Sequence, residues 1–295
     1  MILALIQSLR PKQWIKNLLL FAGVIFTANL KNPALLGRSF AGFAIFCILS
    51  GVVYLINDLR DAQSDRNHPE KKNRPIASGR LSKAAAYSAI FILGIPALTA
   101  SFFLGIGFGI CSAIYVLLVT LYSLSLKHYV ILDLMLVAMG FVIRAIAGIE
   151  VIATPGYIPE ITPWFIACTL FLALFLAICK RRHEILLLNN GAIGHRPVLE
   201  EYSPAFLDQM VAISTTATII SYALWSTIGK FANYQMIFTL PFVLYGIFRY
   251  LYLVYKKEEG GAPELILLKD RSLLIDILLW LISTIILLYL YKPRI

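Results

Sequence analysis

Nine runs of about twenty apolar residues dominate this sequence, and they leave little room for a water-soluble core. Their approximate limits are 14–30, 37–56, 84–103, 106–122, 131–152, 162–179, 207–228, 235–255 and 273–291. Each is close to the roughly 20 residues that a helix needs to cross a hydrocarbon layer about 30 Å thick. Charged residues make up 14% of the chain and cluster between the runs, whereas soluble domains carry about 25%. The runs lack the short alternating strands of a membrane barrel. In lipid the backbone must be hydrogen-bonded within its own segment, so each run is expected to be a helix. The sequence therefore predicts an all-α, polytopic protein with nine transmembrane helices, one transmembrane domain over residues 1–295. The third and fourth runs are the least clearly divided, because Gly94, Pro96, Gly105, Gly107 and Gly109 lie near their junction.

Charge placement predicts orientation. No small-residue cleavage site precedes the basic cluster at Arg10, so the first helix is read as part of the mature chain. With the N-terminus cytoplasmic, nineteen of the 26 Lys and Arg fall on the cytoplasmic side. Five (Lys31, Arg38, Lys230, Lys292 and Arg294) fall on the other, while Arg144 and Arg249 lie within runs. This bias predicts a multi-pass protein of the inner or plasma membrane, N-terminus cytoplasmic and C-terminus extracytoplasmic. It accounts for the net charge of +10 without a nucleic-acid partner. Membrane lipids and phosphorylated substrates are the expected partners. Cys47, Cys111, Cys168 and Cys179 form no CxxC pair and read as buried small hydrophobes.

The second run leads directly into Asn57-Asp58-Leu59-Arg60-Asp61-Ala62-Gln63-Ser64-Asp65. Spacings of three and four place Asp58, Asp61 and Asp65 on one face of a helix. Carboxylates packed this closely repel one another, and a divalent cation offsets the repulsion. Mg²⁺ suits the set because it takes oxygen ligands and often bridges carboxylates to substrate phosphates. Asn57 offers a further carbonyl ligand. Arg66, Lys71, Lys72, Arg74, Arg80 and Lys83 follow and surround the acidic face with positive charge. Together they describe a site for a metal–phosphate complex, with a self-neutralising topogenic loop as the bland alternative. His68 has no second histidine at ligand spacing and reads as a loop or phosphate-adjacent residue.

NDLRDAQSD resembles the NDxxDxxxD motif of the UbiA prenyltransferase superfamily, intramembrane enzymes with nine helices around a central cavity. The resemblance implies that Asn57, Asp58, Asp61 and Asp65 bind Mg²⁺ and a diphosphate. A closer likeness is to the branch that transfers 5-phosphoribose from phosphoribosyl pyrophosphate to a polyprenyl phosphate. It rests on RPKQWIKN at 10–17, DRNHPEKKNRPIASG at 65–79, YSLSLKHYVILD at 122–133, GFVIRAIAG at 140–148 and KRRHE at 180–184. The last third of the chain is similar mainly in helix pattern. Aromatic prenyltransferases of the superfamily usually carry a second aspartate-rich motif after the sixth helix. Here that region is Lys180-Arg181-Arg182-His183-Glu184, a cationic grip suited to a metal-free phosphate.

The resemblance also implies substrate-site roles for Lys127, Asp133 and Arg144. Asp133 and Arg144 are eleven residues apart, a rise of about 16 Å, so they point to nearly the same side without needing to touch. An arginine inside a run is expected to face a cavity or a counter-charge. Lys16, Asn17, Tyr122, Lys180, Arg181 and Glu184 complete the candidate substrate-binding set with Arg66, Lys71 and Arg74. Asp58, Asp61, Lys127 and Arg144 are the catalytic candidates. The expected reaction is Mg²⁺-dependent attack of a polyprenyl phosphate oxygen on C1 of the donor ribose, needing no dedicated general base. An aromatic prenyltransferase using an isoprenoid diphosphate and a phosphate or lipid transporter are the competing readings.

Overall fold

A computed structural model describes residues 1–67, 71–160, 162–189, 197–228, 234–257, 260–261 and 263–290. His68, Arg196, Lys230, Lys292 and Arg294 lie outside the described residues. The chain begins with α1 (Ile2–Ser8), a 3₁₀ helix (Pro11–Phe21) and α2 (Ala22–Phe26). Then follow α3 (Pro33–Arg60), α4 (Ala62–Arg66), α5 (Lys83–Leu104), α6 (Ile106–Leu124) and α7 (Leu132–Glu150). The last are α8 (Pro163–Asn189), α9 (Pro204–Ile228), α10 (Leu240–Lys256), α11 (Pro263–Lys269) and α12 (Arg271–Leu290).

Among the described residues eight helices, not nine, are long and apolar enough to cross a membrane. The run at 14–30 is the difference. It folds as eleven residues of 3₁₀ helix and five of α-helix, separated from α3 by a turn. At about 2.0 Å and 1.5 Å of rise per residue the two pieces still reach about 30 Å. The other eight runs each coincide with a long helix. Their outward faces stay apolar: Phe91, Ile92, Phe103, Ile106, Ile213 and Phe248 are all exposed. Such faces suit lipid as the solvent.

Local chemistry sets the helix limits. Asn32 caps α3, its side chain accepting from the N–H groups of Ala34 and Leu35 at 3.1 and 3.3 Å, with Pro33 in the first turn. Ser82 caps α5 in the same way, from Ala85 at 3.2 Å. At the end of the bundle away from the acidic motif, Arg38 gathers carbonyls left over at helix ends. It donates to Val151 at 2.7 Å, to Ala153 at 3.2 Å and to Leu104. One guanidinium thus ties α3 to the last turns of α5 and α7.

Two glycines let the first segment lie backbone to backbone on α7. A Cβ on Gly148 would sit 2.4 Å from the Leu20 carbonyl oxygen, and one on Gly23 would sit 2.0 Å from that of Gly148. Gly148→Ala is expected to push the segment off α7 and destabilise the fold by about 1–3 kcal/mol, as overpacking does. Thermal unfolding in detergent checks this; an unchanged midpoint would sink the close-packing account.

α12 starts on a charged cap. Asp270 accepts from the Leu273 N–H at 2.8 Å and from Arg249 Nε and Nη2 at 3.2 and 2.7 Å. Hydrogen bonding from Arg249 holds the Asp270 carboxyl below its ordinary range. Its stabilising contribution is therefore complete above the unfolded carboxylate pKa and is lost as pH falls through the lower folded value. The wild type is expected to melt above Asp270→Asn at neutral pH, with the gap closing below about pH 4. A gap that is constant in acid would contradict the pairing.

Candidate active site

The charged ends of the helices meet through a series of ion pairs. α3 stops at Arg60, the chain bends at Asp61, and α4 starts at Ala62. The acidic face expected on one continuous helix is thus split by this bend. Asp58 and Asp65 turn to one side, where both are buried. Arg74 Nη1 lies between them, 3.1 Å from Asp58 Oδ1 and 2.7 Å from Asp65 Oδ2. Asp61 turns instead to Lys127, whose Nζ lies 3.0 Å from both carboxylate oxygens. Asn57 accepts the Asp61 N–H on its backbone oxygen at 2.9 Å. Arg66 donates to the Ala77 carbonyl at 3.2 Å, bracing the loop. Lys71 opens the 3₁₀ turn Lys71–Asn73 that leads to Arg74.

Sequence reading missed Arg10 as a member of this corner. Its Nη2 lies 2.5 Å from Asp58 Oδ1, and its guanidinium sits over the Tyr54 ring at 4.6 Å. Arg10 adopts a left-handed backbone, φ 52°, a conformation that costs about 1–3 kcal/mol in a non-glycine residue. The buried ion pair offsets that strain. A partner 48 positions away leaves no local signal in the sequence.

The corner offers hard oxygen donors. Asp58 and Asp65 converge on Arg74 Nη1; a Mg²⁺ ion, which often takes one or two carboxylates and fills its shell with water and phosphate, would find its oxygen donors here by taking the place of that guanidinium. The larger ligand set expected from the sequence is not gathered. Among the described residues no three Asp, Glu, His or Cys side chains come together as a metal group, because the bend aims Asp61 at Lys127.

A cavity of about 570 Å³ opens beside this corner. Lys16, Tyr122, Lys180, Arg181 and Glu184 form its polar mouth. Phe26, Phe165, Leu172, Phe175, Trp225 and Trp280 are among its apolar walls. Asp58, Asp61, Asp65 and Lys127 are not among its lining residues; Tyr122, in the last turn of α6, lines it a few residues before Lys127. Asp133 supports the mouth from behind. Fully buried in the first turn of α7, it accepts from Arg181 Nη2 at 2.6 Å and from the Tyr202 hydroxyl at 2.7 Å. Arg181 also holds Glu184 at 2.5 Å, and its Nε has no hydrogen-bond partner among the described residues. Tyr202 was another residue without a sequence signal.

Arg144 and Asn17 form a separate buried node. Arg144 donates to Asn17 Oδ1 at 2.8 Å, to the Gly140 carbonyl at 3.0 Å and to the Tyr115 hydroxyl at 2.7 Å. Its guanidinium also stacks on Tyr115 at 4.6 Å. Asn17 passes the connection to Ser50 and Cys47 on α3, at 3.3 and 3.4 Å. The arginine expected to face a cavity or counter-charge is thus satisfied by neutral acceptors, and neither residue lines the cavity. The four cysteines are all free thiols.

Tyr202 also accepts the Ile131 N–H at 2.6 Å. Burial, and then the Asp133 carboxylate it donates to, push its phenol well above the ordinary range, so it remains a donor. Tyr202→Phe strips a partner from both groups and is expected to destabilise the fold by roughly 1–3 kcal/mol. A detergent melting curve identical to wild type would contradict this.

Comparison with known proteins adds to the geometry. The family model described as the UbiA prenyltransferase family matches residues 18–268. Decaprenyl-phosphate phosphoribosyltransferase of Mycolicibacterium smegmatis is 34% identical over 292 residues, covering 94% of this chain and 90% of the relative. The protein of the same name from Corynebacterium glutamicum is 33% identical, covering 97% of this chain and 86% of the relative. Among solved structures, a UbiA homolog from Archaeoglobus fulgidus bound to GPP and Mg²⁺ superposes with a TM-score of 0.72 at 18% identity. That likeness covers 97% of this chain and 99% of the homolog, and it concerns the fold.

Proposed function

The chain belongs to the UbiA prenyltransferase family, and we infer that it transfers 5-phosphoribose from phosphoribosyl pyrophosphate to a polyprenyl phosphate, releasing pyrophosphate. The observation that carries this choice is the cavity mouth. Where a second acidic motif would hold a second metal, α8 presents Lys180 and Arg181 to the cavity. An anionic acceptor suits that mouth, and an uncharged aromatic acid suits it poorly. The near full-length similarity to two decaprenyl-phosphate phosphoribosyltransferases supports the same reading.

In this proposal the apolar cavity solvates the polyprenyl tail, and Lys16, Lys180 and Arg181 hold its phosphate. The donor's diphosphate occupies the acidic corner, with Lys127, Arg10 and Arg74 in reach of its charge, and its ribose extends from there past the mouth into the cavity beside the acceptor. Mg²⁺, which Asp58 and Asp65 would hold in place of the Arg74 guanidinium, would supply positive charge that stabilises the departing pyrophosphate. Asp61, which holds Lys127, positions that ammonium and can extend the metal's ligand set with Asn57. A phosphate oxygen of the acceptor forms a bond to C1 of the ribose as the bond from C1 to the pyrophosphate oxygen breaks. The nucleophile is already an anion, so proton removal is not required. Arg66 at the end of α4 and Lys71 in the following turn contribute to the positive field beside the corner. Arg144 and Asn17 fix the first segment against α3 and α7, so their effect reaches the mouth through Lys16.

The segment 11–26 serves in this proposal as a ninth crossing, since its reach matches the hydrocarbon thickness. The Lys and Arg asymmetry supports a topology with the charged end, the N-terminus and the site on the cytoplasmic side of the cell membrane. A water-soluble donor then meets a lipid acceptor at that face.

Purified protein given phosphoribosyl pyrophosphate, polyprenyl phosphate and Mg²⁺ is expected to form a phosphoribosylated lipid, detected by mass. Turnover in detergent, without a gradient, separates an enzyme from a carrier. Joint Asp58→Ala and Asp61→Ala substitution, or removal of Mg²⁺ with a chelator, is expected to lower the rate at least about 100-fold. Retained turnover in either case overturns the metal-corner assignment. Prenylation of an aromatic acid without any phosphoribosyl lipid would overturn the reaction itself.

A further inference from the structure

The cavity wall holds a carboxylate that the reaction as described leaves unused. Asp276 on α12 lines the cavity and is only 7% exposed. The other carboxylate of the lining, Glu184, is held by Arg181. Asp276 has no hydrogen-bond or ion-pair partner among the described residues. Two donors of the cavity wall are turned elsewhere: Trp280 Nε1 donates to Tyr222 at 2.8 Å, and the Thr218 hydroxyl donates to the Ser214 carbonyl at 2.7 Å. Room for the carboxylate comes from Gly246, where a Cβ would lie 3.0 Å from Asp276 Oδ2.

An ionised carboxylate accepts hydrogen bonds and donates none. Buried without donors, it is costly, and an ionisable group inside a membrane domain usually serves a ligand. The missing donors must then arrive with the occupant. A polyprenyl phosphate brings hydrocarbon and anionic oxygens, neither of which satisfies a carboxylate. The two phosphate ends of the donor are anionic as well. The 2- and 3-hydroxyls of the ribose are the groups that can donate.

Position agrees with this chemistry. Asp276 lies five residues beyond the start of α12 at Arg271, about 7.5 Å along the axis. It follows Leu273 by one turn and precedes Trp280 by one turn, and all three line the cavity. The same cavity extends to Lys16, Lys180 and Arg181 at the charged mouth. Asp276 therefore stands between the cationic mouth and the apolar floor, the level to which the donor's ribose extends in the arrangement inferred above.

We propose that Asp276 is a specificity-determining residue that accepts hydrogen bonds from the ribose hydroxyls of the phosphoribosyl donor, a role that rests on the reaction inferred above. It selects a hydroxylated pentose over a deoxygenated one and orients C1 toward the acceptor phosphate.

The test compares phosphoribosyl pyrophosphate with its 2-deoxy and 3-deoxy analogues, using wild type, Asp276→Ala and Asp276→Asn in detergent with polyprenyl phosphate. Wild type is expected to lose about 10- to 100-fold in kcat/KM on at least one deoxy donor, the range for a hydrogen bond to a charged group. In Asp276→Ala that ratio is expected to collapse toward unity, with native-donor turnover reduced to the deoxy level. Asp276→Asn keeps one acceptor and is expected to fall between. Discrimination that is unchanged in the variants overturns the proposal. Equal use of all three donors by wild type overturns it too, without needing any variant to fold. Product from the native donor in the wild type keeps the underlying reaction standing in each of these cases, whereas its absence removes the reaction and not merely the role of Asp276.

Discussion

A charge at the edge of hydrocarbon is tolerated only with a partner beside it, and the charged end of this bundle is built from that requirement. Desolvating an isolated carboxylate or guanidinium costs several kcal/mol, and removing one member of a buried pair costs about 3–5 kcal/mol. The molecule answers with links between successive helices. Asp61–Lys127 joins the end of α3 to the connection before α7, and Asp133–Arg181 joins α7 to α8. Arg182–Asp208 joins α8 to α9, with Tyr255 of α10 donating to the same carboxylate at 2.6 Å. Arg249–Asp270 closes the series at the head of α12. These pairs fix where each helix ends, and so they fix the mouth of the cavity.

The same requirement couples architecture to chemistry. Carboxylates packed this closely cannot wait bare at the membrane surface, so Arg10, Arg74 and Lys127 neutralise them. The two halves of the site differ in solvent: one is an ionic corner, the other an apolar cavity with a cationic rim. A polar donor and a greasy acceptor need opposite surroundings, and the boundary between the halves is where they can meet. Electrostatic stabilisation of a leaving pyrophosphate is strongest in such a water-poor, pre-organised setting.

Much of this was readable from the chain. Apolar run length located eight of the long helices, because span length is set by the bilayer and not by tertiary detail, but α8 continues about ten residues past its run, through the charged 180–184 segment to Asn189. The acidic motif and the basic loop were visible because their members are close in sequence. Lys16, Tyr122, Lys180, Arg181 and Glu184 do meet at the cavity mouth. What escaped was whatever depended on distant partners or on local backbone shape. The bend at Asp61 divides a face that spacing alone makes continuous. Arg10, Tyr115 and Tyr202 acquire their roles from residues 29 or more positions away. Asp276 stands inside the apolar run 273–291 with no neighbouring motif to single it out, and only the cavity reveals which way it faces. Arg144 was recognised as unusual, but its neutral acceptors could not be inferred from its burial in a hydrophobic stretch.

The 3₁₀ character of the first segment carries a consequence for how the chain can change over evolutionary time. With three residues per turn, side chains at i and i+3 stack in straight columns. Asn17, Leu20 and then Gly23 make the column that meets α7, while Lys16 and Leu19 make the adjacent column that lines the cavity. Inserting or deleting one residue would turn everything beyond it by about 120°. An apolar side chain would then replace the lysine at the phosphate rim, or a bulky one would collide with the glycine seam. Length variation here is tolerable only in steps of three, a reading frame imposed by packing.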